Sequence, residues 1–586
     1  MVSRLSNYDK LPSIAIPVAQ KCAWQGWPDI VEVLRGDISQ GASRIAVECY
    51  PGVYEDEIVG AFAEGLAPCR VLRMADTWKP PREIDAVVAH ELTTDPVFGR
   101  MNGVVIDDFV DPARLDCLKR QLARGGGGSM LIVGTGTALL DCAPHVLVYA
   151  DLARWEIQKR QRAGRIGNLA ADNLSESPSL KYKRGFFLDW RIADRVKKKL
   201  LERCDYLFDT NDTAAPKLVR GDIFRAALRL AVGRPFRVVP SFDPGPWGGQ
   251  WMRRVCQLDE GPPNYAWCFD CVPEENSLLF NFAGIRVEVP SLDLVFCHPR
   301  DLLGDAVYGR FGTEFPIRFD WLDTMEGGNL SLQVHPLTEY IIDKFGMAYT
   351  QDESYYLLDA AEDAHVYLGV RRGVGRAEMI RELASSHDKG GWFEAERYVN
   401  KWPARKHDHF LIPSGTIHCS GRNSMVLEIS ATPYIFTFKL WDWGRLGLDG
   451  QPRPIHLEHG IENIQWDRDT DWVRQNLINR VACLSAGPGW REERTGLHER
   501  EFIETRRHWF TEVVSHDTGG GVQVLNLVEG ERAVVESPSG AFEPFEVHYA
   551  ETFIVPATVG AYTIRPADPA RKARCATVRA SVRARA

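Results

Sequence analysis

Asn329-Leu330-Ser331-Leu332-Gln333-Val334-His335-Pro336 is the stretch on which the reading of this chain turns. Side chains alternate between the two faces of an extended strand, so Gln333 and His335, two apart, project to the same side. An amide oxygen and an imidazole facing one interior can both ligate a divalent metal, and neutral imidazole is the commonest protein ligand for such ions. Alone, a strand histidine is more often a hydrogen-bonded core or surface residue. The segments that follow decide between these readings.

Asp352-Glu353-Ser-Tyr-Tyr-Leu-Leu358 places an acid at the start of another strand. Phe410-Leu-Ile-Pro-Ser-Gly-Thr-Ile-His418 runs a Pro-x-Gly turn directly into a second histidine. One amide, one carboxylate and two imidazoles make a set that suits zinc or another borderline divalent ion, with positions left for water or substrate.

In this order and spacing the segments resemble the type I mannose-6-phosphate isomerase family, with its QxHP strand, its glutamate at a strand start and its P-x-G-x-x-H strand. The resemblance extends to Trp441-Asp-Trp-Gly-Arg445, to Pro246-Trp-Gly-Gly249, to Leu302-Leu-Gly304 with Phe315-Pro316 and Leu322-Asp323, and to Gly450-Gln-Pro-Arg-Pro-Ile-His456. It covers about 235–565. It implies a cupin, or double-stranded β-helix, at 235–470 with a helical insert at about 374–400, and a second, metal-free cupin at 495–566. It also implies one zinc ion per chain held by Gln333, His335, Glu353 and His418, and interconversion of mannose 6-phosphate and fructose 6-phosphate through an enediol(ate). In such chemistry the metal polarises the carbonyl, a base shuttles the proton and a cation offsets the developing charge. Arg445 matches the family's cation, with a salt bridge to Asp442 as its structural alternative. Lys439 stands where many relatives have arginine and would bind substrate. Two family lysines are replaced by Asp320 and Gln351; Arg318, on the same strand face as Asp320, is the candidate substitute for the first. Asp352, Tyr355 and Glu339 are further polar groups for proton transfer. The competing function is a non-catalytic sugar-phosphate-binding or regulatory cupin.

Outside this region the sequence sets broader bounds. At 586 residues the chain exceeds one hydrophobic core, and two to four domains are expected. A net charge of −9 argues against a nucleic-acid partner. The basic tail, 567–586, is expected to be a solvated terminus. No stretch reaches the roughly 18 apolar residues of a membrane helix, and the N-terminus is broken by charge and proline, unlike a signal peptide. The 13 scattered cysteines fit a reducing cytoplasm. Cys268 and Cys271 form a lone C-x-x-C on an expected strand, without a second pair. His407 and His409 read as exposed strand histidines, or as a changed entrance to the site.

Residues 1–228 alternate apolar runs and helical stretches, the pattern of a layered α/β sheet. RIAVE (44–48), DAVVA (85–89), GVVID (103–107), SMLIVG (129–134) and HVLVYA (145–150) are the expected strands, with helices over EDEIVGAFAEGL and PARLDCLKRQLA. In segment order this resembles the P-loop class related to uridine kinase. After the first clear strand, however, the chain reads Glu48-Cys-Tyr-Pro-Gly52-Val-Tyr-Glu-Asp-Glu57, with no P-loop lysine and three acids where a triphosphate would dock. The domain is therefore read as degenerate, with a binding, regulatory or oligomerising role. Val133-Gly-Thr-Gly-Thr137 after the Gly125–Gly128 run is no dinucleotide fingerprint, because the third glycine is missing. The cations of Arg154, Lys159, Arg160, Lys181, Lys183, Arg184 and Arg191 read as a solvated helix face, or as a basic lid.

Overall fold

The structure is a computed structural model that describes residues 7–124, 128–140, 145–389, 391–434, 436–496, 501–568, 570 and 573–583. Positions 125–127 of the glycine run and 571, 572 and 585 of the tail lie outside the described residues. The chain divides into two compact units: one takes in residues up to Pro12, Val232–Asn276 and Pro299 onward, the other Ser13–Ala231 with Ser277–His298.

The second unit is built on a seven-stranded sheet. Cys69–Arg73, Ser129–Gly134, Arg44–Cys49, Val146–Asp151 and Tyr206–Asp209 run parallel in that spatial order, and Lys217–Arg220 and Ala23–Gln25 continue it antiparallel. Ser129–Gly134 and Val146–Asp151 are buried along their whole length, as strands covered on both faces must be. Helix Pro112–Ala123 starts on Asp111, whose carboxylate accepts from the amides of Ala113 and Arg114.

Two expected strands are not strands. DAVVA lies in helix Pro81–Leu92, where Ile84 and Val88, one turn apart, are buried while Val87 is 44% exposed. A short apolar run on a helix face imitates a strand. GVVID leads into the 3-10 turn Ile106–Phe109. The solvated basic face is corrected for five of its seven cations: Arg154, Arg160, Lys181, Lys183 and Arg184 are at most 7% exposed, while Lys159 is exposed and Arg191 half-buried. Lys181 donates to the carbonyls of Ile166 and Leu174, and Lys183 to those of Thr93 and Asp95. These loops have no ladder partners for their carbonyls, so buried ammonium groups satisfy them.

Residues 277–298 complete this unit. Ser277–Phe282 pairs with Ile285–Pro290 and, in parallel, with Ser13–Ile16. Asp293 lies 2.9 Å from the Lys197 ammonium, which also meets Asp151 at 2.7 Å. Burial opposes the lysine's charge, but the two carboxylates outweigh it and raise its pKa.

The first unit contains four antiparallel sheets. A six-stranded sheet orders His409–Ile412, Asp352–Ala360, Ser424–Ala431, Ile317–Asp323, Trp267–Cys271 and Ser241–Asp243. A five-stranded one orders Val399–Pro403, His365–Val370, His418–Ser420, Leu332–Val334 and Phe438–Trp441. Among the described residues these remain two sheets; hydrogen bonds do not close them into the expected barrel. Helix Arg376–Lys389 interrupts the strands at the expected insert. Farther on come a six-stranded and a four-stranded sheet. The solvated-tail expectation fails here, because Cys575–Val582 pairs on one side with Ile503–Phe510 and on the other with Gln523–Glu529. Its first six residues, Cys575 to Ala580, are all buried, Arg579 among them. His409 is likewise not exposed: it is fully buried beside Tyr356, and burial with Arg507 nearby pushes its pKa down to about 3. Cys268 and Cys271 are buried, with a register shift between Phe269 and Cys271. No helix among the described residues is long and apolar enough to cross a membrane.

Replacing Lys197 with methionine strands two buried carboxylates and is expected to cost about 3–5 kcal/mol, read as a lowered urea midpoint. A shift no larger than that of the exposed Lys21→Met would show that the clasp contributes nothing.

Candidate metal centre

Leu332–Val334 and His418–Ser420 are neighbouring antiparallel strands, with Gln333 directly opposite His418. Glu353 reaches the same point from the other sheet, at the start of Asp352–Ala360. Its two carboxylate oxygens stand 3.1 Å from His335 Nε2 and 3.0 Å from His418 Nε2. The ligand atoms of these three residues lie within 4.8 Å of one another, and all three are buried. The Gln333 amide nitrogen is 3.1 Å from His418 Nε2, and a half-turn of the amide would present its oxygen instead.

Both rings are fixed from behind. His335 Nδ1 is 2.9 Å from the Phe436 carbonyl, and His418 Nδ1 is 2.9 Å from the Thr416 carbonyl. A carbonyl accepts only from an N–H, so each Nδ1 carries the proton and each Nε2 turns a lone pair inward. Two lone pairs and a carboxylate therefore converge in a dry interior, an arrangement that a bound cation relieves. The donor set fits zinc or a similar ion. Burial favours neutral imidazole, yet Glu353 raises the His335 pKa, whereas burial dominates at His418 and lowers it. Burial also works against the Glu353 charge, but the two histidines hold its pKa well below the usual carboxylate range.

Asp352, the other acid of the pair, is turned away: its carboxylate accepts from the Ser414 amide at 2.7 Å. Glu339 is exposed on helix Thr338–Phe345. Register explains the surroundings. Across the six-stranded sheet Glu353, Ser430 and Arg318 form one row, and Tyr355, Glu428 and Asp320 the next. Gln351 donates to Glu353 at 2.9 Å and to Glu428 at 3.3 Å, and accepts from the Phe436 amide. Burial, then Glu353 and Asp320, push the Glu428 carboxyl well above its ordinary range. Arg318 and Asp320 pair at 3.6 Å, and burial pushes the Asp320 pKa up to about 6 against that pairing.

The predicted cations lie together on and after the edge strand Phe438–Trp441. Lys439 is the backbone partner of Gln333, and burial, with Arg453 and Arg445 nearby, lowers its pKa to about 8. Arg445 donates to Asp442 at 2.6 Å, the salt bridge named as its alternative, and Arg453 takes the other Asp442 oxygen at 2.5 Å. Arg453 and Glu428 escaped the sequence reading. The signal for Glu428 was its even spacing from Ser430 on an otherwise apolar strand; nothing in the Gln-Pro-Arg-Pro loop marked Arg453. Gly249 has a steric cause, since a Cβ there would sit 2.1 Å from Asp323 Oδ1.

A family model described as a domain of unknown function, DUF8485, matches residues 26–233. The chain is 29% identical over 219 residues to the mannose-6-phosphate isomerase of Streptococcus mutans, covering 37% of this chain and 63% of that protein. It is 32% identical over 168 residues to the mannose-6-phosphate isomerase ManA of Bacillus subtilis, covering 29% and 49%. It thus spans about half to two thirds of these relatives' length. Among solved structures, the mannose 6-phosphate isomerase of Bacillus subtilis aligns with a TM-score of 0.48 at 17% identity, over 59% of this chain and 99% of that one. A putative mannosephosphate isomerase of Archaeoglobus fulgidus aligns with a TM-score of 0.44 at 17% identity, over 60% and 98%.

Gln351→Ala, which removes the amide steadying Glu353, is expected to weaken zinc binding about 10–100-fold, measured by competition with a chromophoric chelator. A change below about twofold would mean that the strand alone positions the carboxylate.

Proposed function

We propose that this chain is a divalent-metal-dependent aldose–ketose isomerase that interconverts mannose 6-phosphate and fructose 6-phosphate. The observation that carries the reading is the convergence of two imidazole lone pairs and the Glu353 carboxylate at one buried point, beside the Gln333 amide. Similarity to mannose-6-phosphate isomerases supports it. A bound divalent ion, zinc by preference, would supply a Lewis acid for the sugar carbonyl. Lys439, Arg445 and Arg453 supply the charge for the phosphate, since a guanidinium engaged with Asp442 still has N–H groups to offer. Burial and the neighbouring Glu353 and Asp320 raise the pKa of the Glu428 carboxyl, and it is the group we assign to proton transfer between the two carbons. Arg318 contributes the remaining charge at the interior face. We place the reaction in the cytoplasm.

A second reading, a sugar-phosphate-binding protein without turnover, is favoured by one feature. Where the family carries lysines, this chain has Gln351, bonded to Glu353, and Asp320, which partly neutralises Arg318. For the other unit we infer a binding, regulatory or oligomerising role without nucleotide chemistry. There the Glu48 carboxylate accepts from the Gly136 amide and Thr137 hydroxyl, each at 2.6 Å, and occupies donors that a phosphate would need.

A coupled assay of mannose 6-phosphate conversion should show turnover in the zinc-loaded protein that a chelator abolishes. Zinc-loaded protein with no turnover at any substrate level would leave the binding reading, and chelator-resistant turnover would remove the metal from the chemistry. Lys439 is charged below about pH 8 and loses its charge above it, so KM for the sugar phosphate should rise through that pH. Lys439→Arg should keep KM flat there; the same rise in the variant would exclude Lys439 as its source.

A further inference from the structure

The C-terminal pair of sheets encloses an apolar core that includes Phe510, Leu525, Leu527, Val535 and Ile564. Beside this core the interior turns polar. His508, on Ile503–Phe510, lies in register between Glu492 and Thr577. His516, on Val514–Asp517, approaches from the facing four-stranded sheet. The two imidazoles are only 4% and 6% exposed. Their ring centroids are 4.5 Å apart, close to the 4.8 Å that separates His335 and His418.

His508 Nε2 stands 3.2 Å from a Glu492 oxygen, which keeps the proton on Nε2 and leaves a lone pair on Nδ1. That Nδ1 and both nitrogens of His516 have no hydrogen-bond partner, and neither has the buried Thr577 hydroxyl. Buried polar atoms are ordinarily satisfied, so four unpartnered ones on His508, its cross-strand neighbour Thr577 and the adjoining His516 ring call for an occupant. Tyr562 stacks on His516 at 5.0 Å and 11°, and its hydroxyl donates to Gln523 at 2.5 Å, which holds the imidazole plane. Burial lowers the pKa of both histidines and so favours the neutral form, which ligates metal. Arg579 is the opposing feature, but its guanidinium lies 3.4 Å from Glu492. Glu492 also pairs with Arg506 at 3.0 Å, so both neighbouring guanidiniums are engaged by that carboxylate.

We propose that His508 and His516 bind a second metal ion of the zinc class, with Glu492 orienting His508 from behind and the Thr577 hydroxyl beside the ion. Nitrogen donors of this kind suit a borderline ion and exclude calcium or magnesium, which take oxygen. The proposal is independent of any isomerase activity. Full-length protein equilibrated with zinc and passed through a desalting column is expected to retain two equivalents. A variant with His335→Ala and His418→Ala should retain one, and so should His516→Gln, which keeps the size and polarity of the side chain. One equivalent in the unsubstituted protein, or none in the His335/His418 variant, overturns the proposal. An anomalous zinc peak between the His508 and His516 rings in crystals of the loaded protein would locate the ion without any substitution. A water molecule there would overturn it.

Discussion

Two imidazole lone pairs cannot face a carboxylate at about 3 Å in a dry interior unless positive charge lies between them. That constraint organises the first unit. Gln333 and His418 belong to the five-stranded sheet, and His335 lies just beyond one of its strands. Glu353 belongs to the six-stranded sheet, so a cation held at this point would link the two sheets as well as its ligands. The surrounding polarity follows from the same charge. Gln351 spans Glu353 and Glu428, and burial beside the Glu353 anion raises the Glu428 pKa.

Three of the four proposed ligands were legible because two simple patterns place them: same-face spacing for Gln333 and His335, and a turn feeding directly into His418. The choice between Asp352 and Glu353 was not legible from the residues alone. It depends on the Ser414 amide, which is distant in sequence and claims Asp352. Arg453 was missed for a related reason, since a loop arginine shows its role only when the fold brings it to Asp442. At the level of elements, the central strands of the parallel sheet were plain, because burial on both faces enforces continuous apolar runs. DAVVA misled because four small apolar or β-branched residues satisfy a helix face as readily as a strand.

Charge proved the least legible property. Lys181, Lys183 and Lys197 sit in sequences that look solvated, yet each ammonium is buried against carbonyls or carboxylates. Hydropathy counts the cost of burying a lysine but not the partners that repay it, and most of those partners lie in other elements of the fold. His409 shows the converse: a histidine flanked by charged residues becomes an uncharged packing element once another sheet covers it.

The return of residues 277–298 to the second unit has a consequence for how the chain is made. Synthesis proceeds from the N-terminus, so the parallel sheet leaves the ribosome well before Asp293 and the strands Ser277–Phe282 and Ile285–Pro290. Until that excursion arrives, Lys197 has lost one of its two carboxylates and Ser13–Ile16 has no neighbour. The earlier-made unit therefore cannot reach its final form until part of the chain that encodes its neighbour has also emerged. The two units are interleaved in time as well as in sequence, and a cut placed between them at the first boundary would leave the N-terminal piece unfinished.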